Sequence, residues 1–224
     1  MPEFEEERAA VAAAARRLAE AGLLIRTAGN VSLRVSGGCV AVTATGIRLA
    51  EARAEHVTIV DGDGRVVAGE FAPTSELELH LGVYANHEAA AVVHTHSVQA
   101  TALGLVVDEV PVVHYQQLPL GGAIPVAPFA AFGTAELARN VLTALRAKRA
   151  ALMANHGAVA LGSDLDDAVE NILLVEWICE IYRTAASLGP VRALDPDQQR
   201  AALEAAARRD YGTPKRLDGR PVER

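Results

Sequence analysis

Aromatic side chains, cysteines and long apolar runs are all scarce in this chain. Only 4% of its 224 residues are Phe, Trp or Tyr, although half are apolar and Ala supplies much of that half. No apolar run reaches the roughly 18 residues that a membrane-spanning helix requires, so we expect no membrane span. The formal charge is −7 and no long basic run occurs. The chain is therefore not expected to bind nucleic acid.

The chain has two cysteines, Cys39 and Cys179, which lie far apart in strand-like and helical contexts. Disulfide frameworks normally use more cysteines, so these two are not expected to pair. The acidic N-terminal segment lacks the apolar core of a signal peptide. We therefore expect a cytoplasmic protein, and the remaining composition is typical of a globular α/β chain.

Apolar periodicity and turn residues predict one α/β domain over residues 1–212, with a central, mainly antiparallel sheet flanked by helices. The polar segment 213–224 is predicted to be a flexible tail. Strands are predicted at residues 31–35, 39–43, 57–60, 65–68, 90–95, 110–115 and 124–127, with a strand pair or a strand and turn over 151–161. Helices are predicted at residues 3–21, 73–87, 97–103, 134–148, 164–188 and 197–209.

Three histidines are candidate metal ligands. His94 and His96 alternate on a predicted strand, so their imidazoles share one face. His156 lies on another predicted strand, beside Gly157, where the backbone can bend. Three neutral imidazoles suit zinc and leave one coordination position for a substrate. The motif alone is weak, because three ordinary histidines would give the same pattern.

Glu76 begins a predicted helix directly after the hydroxyl residues Thr74 and Ser75. A carboxylate there is stabilised by the helix dipole and is usually only a cap. The same helix start offers N–H groups and two hydroxyls to an anion. His80 lies one turn further on the same helical face, where it either orients the Glu76 carboxylate or has a purely structural role.

Taken in order, these segments resemble one known family, the class II, metal-dependent sugar-phosphate aldolases and epimerases, and most closely its branch that cleaves L-fuculose 1-phosphate. The similarity spans residues 27–212, nearly the whole chain. The matching segments are Thr27-Ala28-Gly29-Asn30-Val31-Ser32, Thr43-Ala44-Thr45-Gly46, Pro73-Thr74-Ser75-Glu76, Val92-Val93-His94-Thr95-His96, His114-Tyr115, Gly121-Gly122, Ala127-Pro128-Phe129, Phe132-Gly133-Thr134, Asn155-His156-Gly157 and Tyr211-Gly212.

The resemblance implies a metal-dependent lyase that cleaves a ketose 1-phosphate to dihydroxyacetone phosphate and a small aldehyde. It implies one zinc ion per subunit, although other divalent ions are compatible, on His94, His96 and His156. Glu76 would be both a ligand of the resting metal and the catalytic base.

The resemblance also implies the remaining site residues and the assembly. The substrate phosphate would be held by residues matching Asn30, Thr45, Gly46, Thr74 and Ser75. Two tyrosines would complete the site, Tyr115 from a neighbouring subunit and Tyr211 in the C-terminal segment. The assembly implied is a homotetramer with active sites between subunits.

Several relatives in this family remain alternatives. Pentulose-phosphate 4-epimerases typically carry Asp at the position of Glu76, whereas methylthioribulose-1-phosphate dehydratases and decarboxylating relatives keep the glutamate. Adducin-type modules share the fold without the metal ligands. A cupin-like barrel would also contain His-x-His, but it would need a nearby downstream Glu, and residues 97–101 contain none.

Overall fold

The computed structural model describes residues 4–209 and residue 212. Its helices and strands, in chain order, are α1 (Glu5–Glu20), β1 (Asn30–Arg34), β2 (Val40–Thr43), β3 (Val57–Val60), β4 (Val66–Ala68), α2 (Leu77–Asn86), β5 (Ala91–Thr95), α3 (Val98–Leu103), β6 (Glu109–Val110), β7 (Ile124–Ala127), α4 (Ala135–Ala144), β8 (Ala150–Met153), β9 (Gly157–Gly162), α5 (Leu165–Leu188) and α6 (Pro196–Arg209).

Within the described residues, nine strands form one sheet in the order β4-β3-β2-β1-β5-β9-β8-β7-β6. Neighbouring strands are antiparallel except β7 and β8, which are parallel. The predicted α/β class, the mainly antiparallel sheet and both N-terminal hairpins are confirmed. The tail predicted at 213–224 lies outside the described residues.

Helices cover both faces of the sheet and enclose two apolar cores. One core joins the sheet to α1, α3 and α5, and the other joins it to α2 and α4. Buried positions of α5 recur at helical spacing, at Ile172, Val175 and Ile178, which is the period that buries one stripe of a helix. No helix in the described part of the chain is both long and apolar enough to cross a membrane.

The strand predicted at 110–115 is wrong. Strand β6 contains only two residues, and a 3₁₀-helix occupies Tyr115–Leu120. The buried side chain of Gln117 donates to the carbonyls of Val110 and Pro111 and accepts from the N–H of Val113. These bonds replace the ladder that a longer strand would form, so the apolar alternation in the sequence does not produce a strand here.

The helix predicted at 134–148 is shorter than expected, since α4 ends at Ala144. Ala147 follows in the left-handed region, with φ of 56°. This conformation is incompatible with a right-handed helix, so the chain turns here and enters β8.

Candidate metal centre

His94 lies in the middle of the sheet. Strand β5 pairs His94 with Asn30 on β1 and with Val159 on β9, and its side chain is fully buried. The Nδ1–H of His94 donates to the carbonyl of Ala158 at 2.9 Å. Because a carbonyl can only accept, this bond places a proton on Nδ1, so Nε2 is the nitrogen that is available to a metal ion.

His96 lies one residue beyond the end of β5, not on the strand as predicted. The chain leaves the sheet there because Ser97 is the N-cap residue of α3, which begins at Val98. The predicted meeting of the two imidazoles is nevertheless confirmed, with His94 Nε2 and His96 Nε2 2.9 Å apart.

His156 lies in the turn between β8 and β9, also not on a strand. Its ring centroid is 4.8 Å from that of His94 and 4.7 Å from that of His96. The turn is formed by Asn155, with φ of 58°, a conformation that asparagine tolerates. It is followed by Gly157, where an added Cβ would lie 2.1 Å from the Thr95 carbonyl oxygen. The absence of a side chain at Gly157 therefore allows the turn to approach the end of β5.

We expect Gly157→Ala to lower the free energy of unfolding by about 3 kcal/mol, because the added methyl group would force β5 and β9 apart. Thermal denaturation of the metal-free protein measures the effect. Gly37→Ala is the control, because nothing lies within 4 Å of its added Cβ, and its cost is confined to the strain of a positive φ. Equal Tm values for the two variants would contradict the expected close contact.

Glu76 immediately precedes α2 and is 6% exposed. Its Oε2 is 3.2 Å from His94 Nε2, and its Oε1 is 3.5 Å from His156 Nε2. The Oε1 atom is buried, and among the described residues it has no hydrogen-bond partner. One ligand atom from each of Glu76, His94, His96 and His156 lies within 4.8 Å of all the others.

The electrostatics of the cluster favour a cation. Burial first, then the neighbouring histidines, lowers the pKa of His96 to about 4, and burial together with His94 does the same for His156. For Glu76, burial raises the pKa, but the histidines and the Asn30 amide outweigh it, so the net shift is downward. Neutral imidazoles and an ionised carboxylate with a buried, unpartnered oxygen fit a divalent metal ion.

A pocket of about 390 Å³ opens beside this cluster, and all five residues predicted to bind phosphate line it: Asn30, Thr45, Gly46, Thr74 and Ser75. Two backbone hydrogen bonds join residues 43–45 to residues 72–74. The Thr74 N–H donates to the Thr43 carbonyl, and the Thr45 N–H donates to the Ala72 carbonyl. Glu76, His96 and His156 line the same pocket. An anion bound there would therefore lie next to the candidate metal ligands.

The helix start offers fewer open donors than the sequence indicated. The Glu76 N–H donates to Thr74 Oγ1 at 3.3 Å, and the Leu77 N–H donates to the Thr74 carbonyl. These two N–H groups are therefore not open to an anion. Sequence reasoning missed Arg26, an exposed residue and the only Lys or Arg among the described residues that line the pocket. Its position directly before the Thr27-Ala28-Gly29-Asn30 segment is the signal that could have identified it.

The described residues that line this pocket in one chain do not include the predicted Tyr115. Tyr115 is 42% exposed and its ring lies against that of His114, with centroids 4.4 Å apart. Tyr211 lies outside the described residues.

A cation-binding cluster that opens directly into a hydroxyl-lined pocket is the arrangement of a metal-dependent enzyme with a small polar substrate. Comparison with known proteins identifies the family of this enzyme. Residues 9–183 match the family described as Class II Aldolase and Adducin N-terminal domain. The chain belongs to this family.

Two named relatives and one solved structure show the similarity. The chain is 36% identical over 186 residues to the L-fuculose phosphate aldolase of Escherichia coli (strain K12), covering 82% of this chain and 86% of that protein. It is 33% identical over 211 residues to a 5-methylthioribulose-1-phosphate/5-deoxyribulose-1-phosphate aldolase of Rhodospirillum rubrum. That match covers 93% of this chain and 94% of the R. rubrum protein.

The solved structure is an L-fuculose 1-phosphate aldolase, which superimposes with a TM-score of 0.85 at 30% identity. The match covers 92% of this chain and 97% of that one. This chain is accordingly a class II aldolase, an enzyme of the lyase class.

Proposed function

We propose that this protein is a zinc-dependent aldolase that reversibly cleaves a ketose 1-phosphate to dihydroxyacetone phosphate and a small aldehyde. The observation that carries the proposal is the buried, unpartnered Glu76 Oε1 beside three imidazoles, next to a pocket lined with hydroxyls. The E. coli and R. rubrum relatives support it, since both are named as aldolases of phosphorylated sugars, the second of them of ribulose 1-phosphate derivatives.

His94, His96 and His156 would hold the metal, one ion per subunit, with Glu76 as a fourth ligand before substrate arrives. We propose zinc on the basis of the nitrogen-rich ligand set, and other divalent ions are compatible with the same atoms. When bound, the ion supplies Lewis-acid stabilisation of negative charge on the ketone-derived oxygens of the substrate.

Glu76 is the proposed base. In the direction of synthesis, its carboxylate removes a proton from the carbon beside the ketone of dihydroxyacetone phosphate, and in cleavage the resulting carboxylic acid returns that proton. The low pKa of Glu76 keeps the group ionised and ready to accept. The position of Glu76 in the pocket wall supports this role, because a substrate whose phosphate binds in the same pocket would lie within reach of its carboxylate.

The phosphate is assigned to Asn30, Thr45, Gly46, Thr74 and Ser75. The Thr45 and Ser75 side chains line the same pocket as Arg26, and the Thr74 hydroxyl keeps its own proton to donate while it accepts from the Glu76 N–H. The net charge of the chain is negative. Local donors must therefore attract the phosphate, and Arg26 adds the cation that the other five residues lack.

We further propose a homotetramer whose active sites lie between subunits. Tyr115 of one subunit would protonate the aldehyde oxygen in the site of its neighbour, and Tyr211 would help to close the site. The surface position of Tyr115 is compatible with this role, because an exposed side chain can reach a second copy of the chain.

We expect Arg26→Ala to raise KM for the ketose phosphate about tenfold with little change in kcat, because a charge-assisted bond to phosphate is lost in an exposed position. Steady-state kinetics with and without added inorganic phosphate measure the effect, and the inhibition constant of phosphate should rise in parallel. Arg65→Ala is the control, an exposed arginine that pairs with Asp63 outside the pocket. A KM unchanged by Arg26→Ala would remove Arg26 from the phosphate site.

The reaction itself is tested with a panel of substrates. L-fuculose, L-rhamnulose, 5-deoxyribulose and 5-methylthioribulose 1-phosphates are incubated separately with zinc-loaded protein, and dihydroxyacetone phosphate and aldehyde are measured. Release of water or carbon dioxide, or inversion at C4 of a pentulose phosphate, would instead indicate the dehydratase, decarboxylase or epimerase reaction. Absence of bound metal would favour the adducin-type module. The similarity to the R. rubrum enzyme makes 5-methylthioribulose 1-phosphate the second candidate substrate.

A further inference from the structure

Behind the pocket, a chain of buried side chains leads from Glu76 into the interior of the protein. Asn30 Nδ2 lies 2.9 Å from Glu76 Oε2, and Asn30 Oδ1 lies 2.5 Å from His80 Nε2. His80 Nδ1 lies 2.6 Å from Ser32 Oγ, which lies 2.7 Å from the hydroxyl of Tyr84. All five residues are buried, and His80 and Ser32 are 0% exposed.

The five residues come from strand β1 and from helix α2 with the residue before it, and their spacing in the sequence places them on facing surfaces. Glu76, the residue directly before α2, is followed at intervals of four by His80 and Tyr84 within the helix. The three residues therefore lie on one helical face. Asn30 and Ser32 are two residues apart on β1, so they share the face of the sheet on which α2 packs. The strand residues therefore alternate with the helix residues in a single row.

The donor and acceptor in each hydrogen bond of this row can be assigned in turn, starting from Glu76. The Glu76 carboxylate can only accept, so Asn30 presents its NH₂ group to Oε2 and its carbonyl oxygen to His80. That oxygen can only accept, so His80 carries its proton on Nε2 and accepts from the Ser32 hydroxyl on Nδ1. Ser32 in turn accepts from the Tyr84 hydroxyl. All four donors therefore point towards Glu76.

His80 is neutral in this arrangement. Burial lowers the pKa of His80 to about 3, although the charge of Glu76 opposes the shift. A neutral imidazole with a defined tautomer links the two halves of the row, since Nε2 donates to Asn30 and Nδ1 accepts from Ser32.

We propose that His80, supported by Ser32 and Tyr84, is a positioning residue that fixes the Asn30 amide and thereby holds Glu76 by Oε2 alone, leaving Oε1 for the metal and the substrate proton. A flipped Asn30 would set its carbonyl oxygen against the carboxylate and its NH₂ against the His80 Nε2–H. The locked amide therefore makes the two carboxylate oxygens inequivalent. This proposal rests on the proposed function for the metal-binding and proton-transfer roles of Oε1, but not for the orientation of the Asn30 amide.

The first test needs neither metal nor substrate. The ¹⁵N NMR spectrum of the metal-free protein should show His80 with a protonated, pyrrole-type Nε2 and an unprotonated, pyridine-type Nδ1 at neutral pH. An imidazolium, or the tautomer with its proton on Nδ1, would overturn the proposal, because neither can donate to Asn30 and accept from Ser32 at once.

The second test compares His80→Leu with His80→Gln in the full chain, because only Gln can restore a donor for Asn30 and an acceptor for Ser32. Loss of a hydrogen-bonding partner behind a metal ligand typically costs about 10–100-fold in metal affinity or activity. We expect His80→Leu to weaken zinc binding by this factor in a chelator competition and to lower kcat with KM nearly unchanged. We expect His80→Gln to recover most of both losses.

Asn171→Leu is the matched control, since Asn171 is also buried and donates to the Leu161 carbonyl at 2.8 Å, on α5 and outside this row. Equal losses in His80→Leu and His80→Gln, or the same losses in Asn171→Leu, would overturn the positioning role. If His80→Leu does not fold, Tyr84→Phe replaces it, because it removes only the last hydroxyl and keeps the ring beside Arg34. Wild-type zinc affinity in Tyr84→Phe would then overturn the proposal.

These measurements separate the two proposals. If no ketose phosphate is cleaved by the wild-type protein, the proposed function fails, while the tautomer of His80 and the zinc affinities of the variants still decide the positioning role.

Discussion

Replacing Glu76 by Gln is expected to lower kcat by about 10²–10⁴-fold, the range that a positioned base typically contributes. The amide is nearly isosteric with the carboxylate, so it can remain in the same buried position, but it cannot accept the substrate proton. We expect the variant to retain part of its zinc, because three imidazoles remain. Steady-state cleavage assays and elemental analysis on one preparation measure both quantities.

Glu78→Gln is the matched control for this experiment. Glu78 lies in the first turn of the same helix but is exposed to solvent, so its replacement changes the helix-dipole interaction without changing the pocket. Cleavage by Glu76→Gln at a rate close to that of Glu78→Gln would show that Glu76 is not the base.

His94→Ala should abolish both metal binding and activity. His94 is completely buried and is held by its bond to the Ala158 carbonyl, so its removal takes one of the four clustered ligand groups from the centre of the site. A ligand that binds only the folded state stabilises it by about 2.7 kcal/mol at 100 times its Kd. The wild-type Tm should therefore rise on addition of zinc, whereas that of His94→Ala should not.

His87→Ala provides the comparison. His87 follows the end of α2 and is not part of the cluster, so this variant should show the same zinc-dependent rise in Tm as the wild type. Stoichiometric zinc in purified His94→Ala would refute the assignment of His94 as a ligand.

Most helices and strands could be predicted from local patterns. The long helix α5 buries a stripe at a period that is visible in the sequence, and the hairpins β1–β2 and β3–β4 alternate around glycine-containing turns. These elements are predictable because each depends on neighbours within a few residues. The segment at 110–115 was mispredicted because Gln117 satisfies its backbone groups from outside the strand pattern.

The sequence by itself determined which groups are candidates for the site: three imidazoles and one carboxylate for the proposed metal, and two adjacent hydroxyls for an anion. It also placed Glu76 and His80 on one helical face, because a helix fixes the direction of side chains four residues apart.

Only the tertiary structure decided how these groups meet. His96 and His156 reach the site from a strand end and a turn, and Arg26 joins the pocket from a distant loop. The inequivalence of the two Glu76 oxygens depends on the Asn30 amide, which the sheet places opposite His94. Contacts between residues far apart in the chain depend on strand order and register, and these are settled by burying both faces of the whole sheet at once and not by any local pattern.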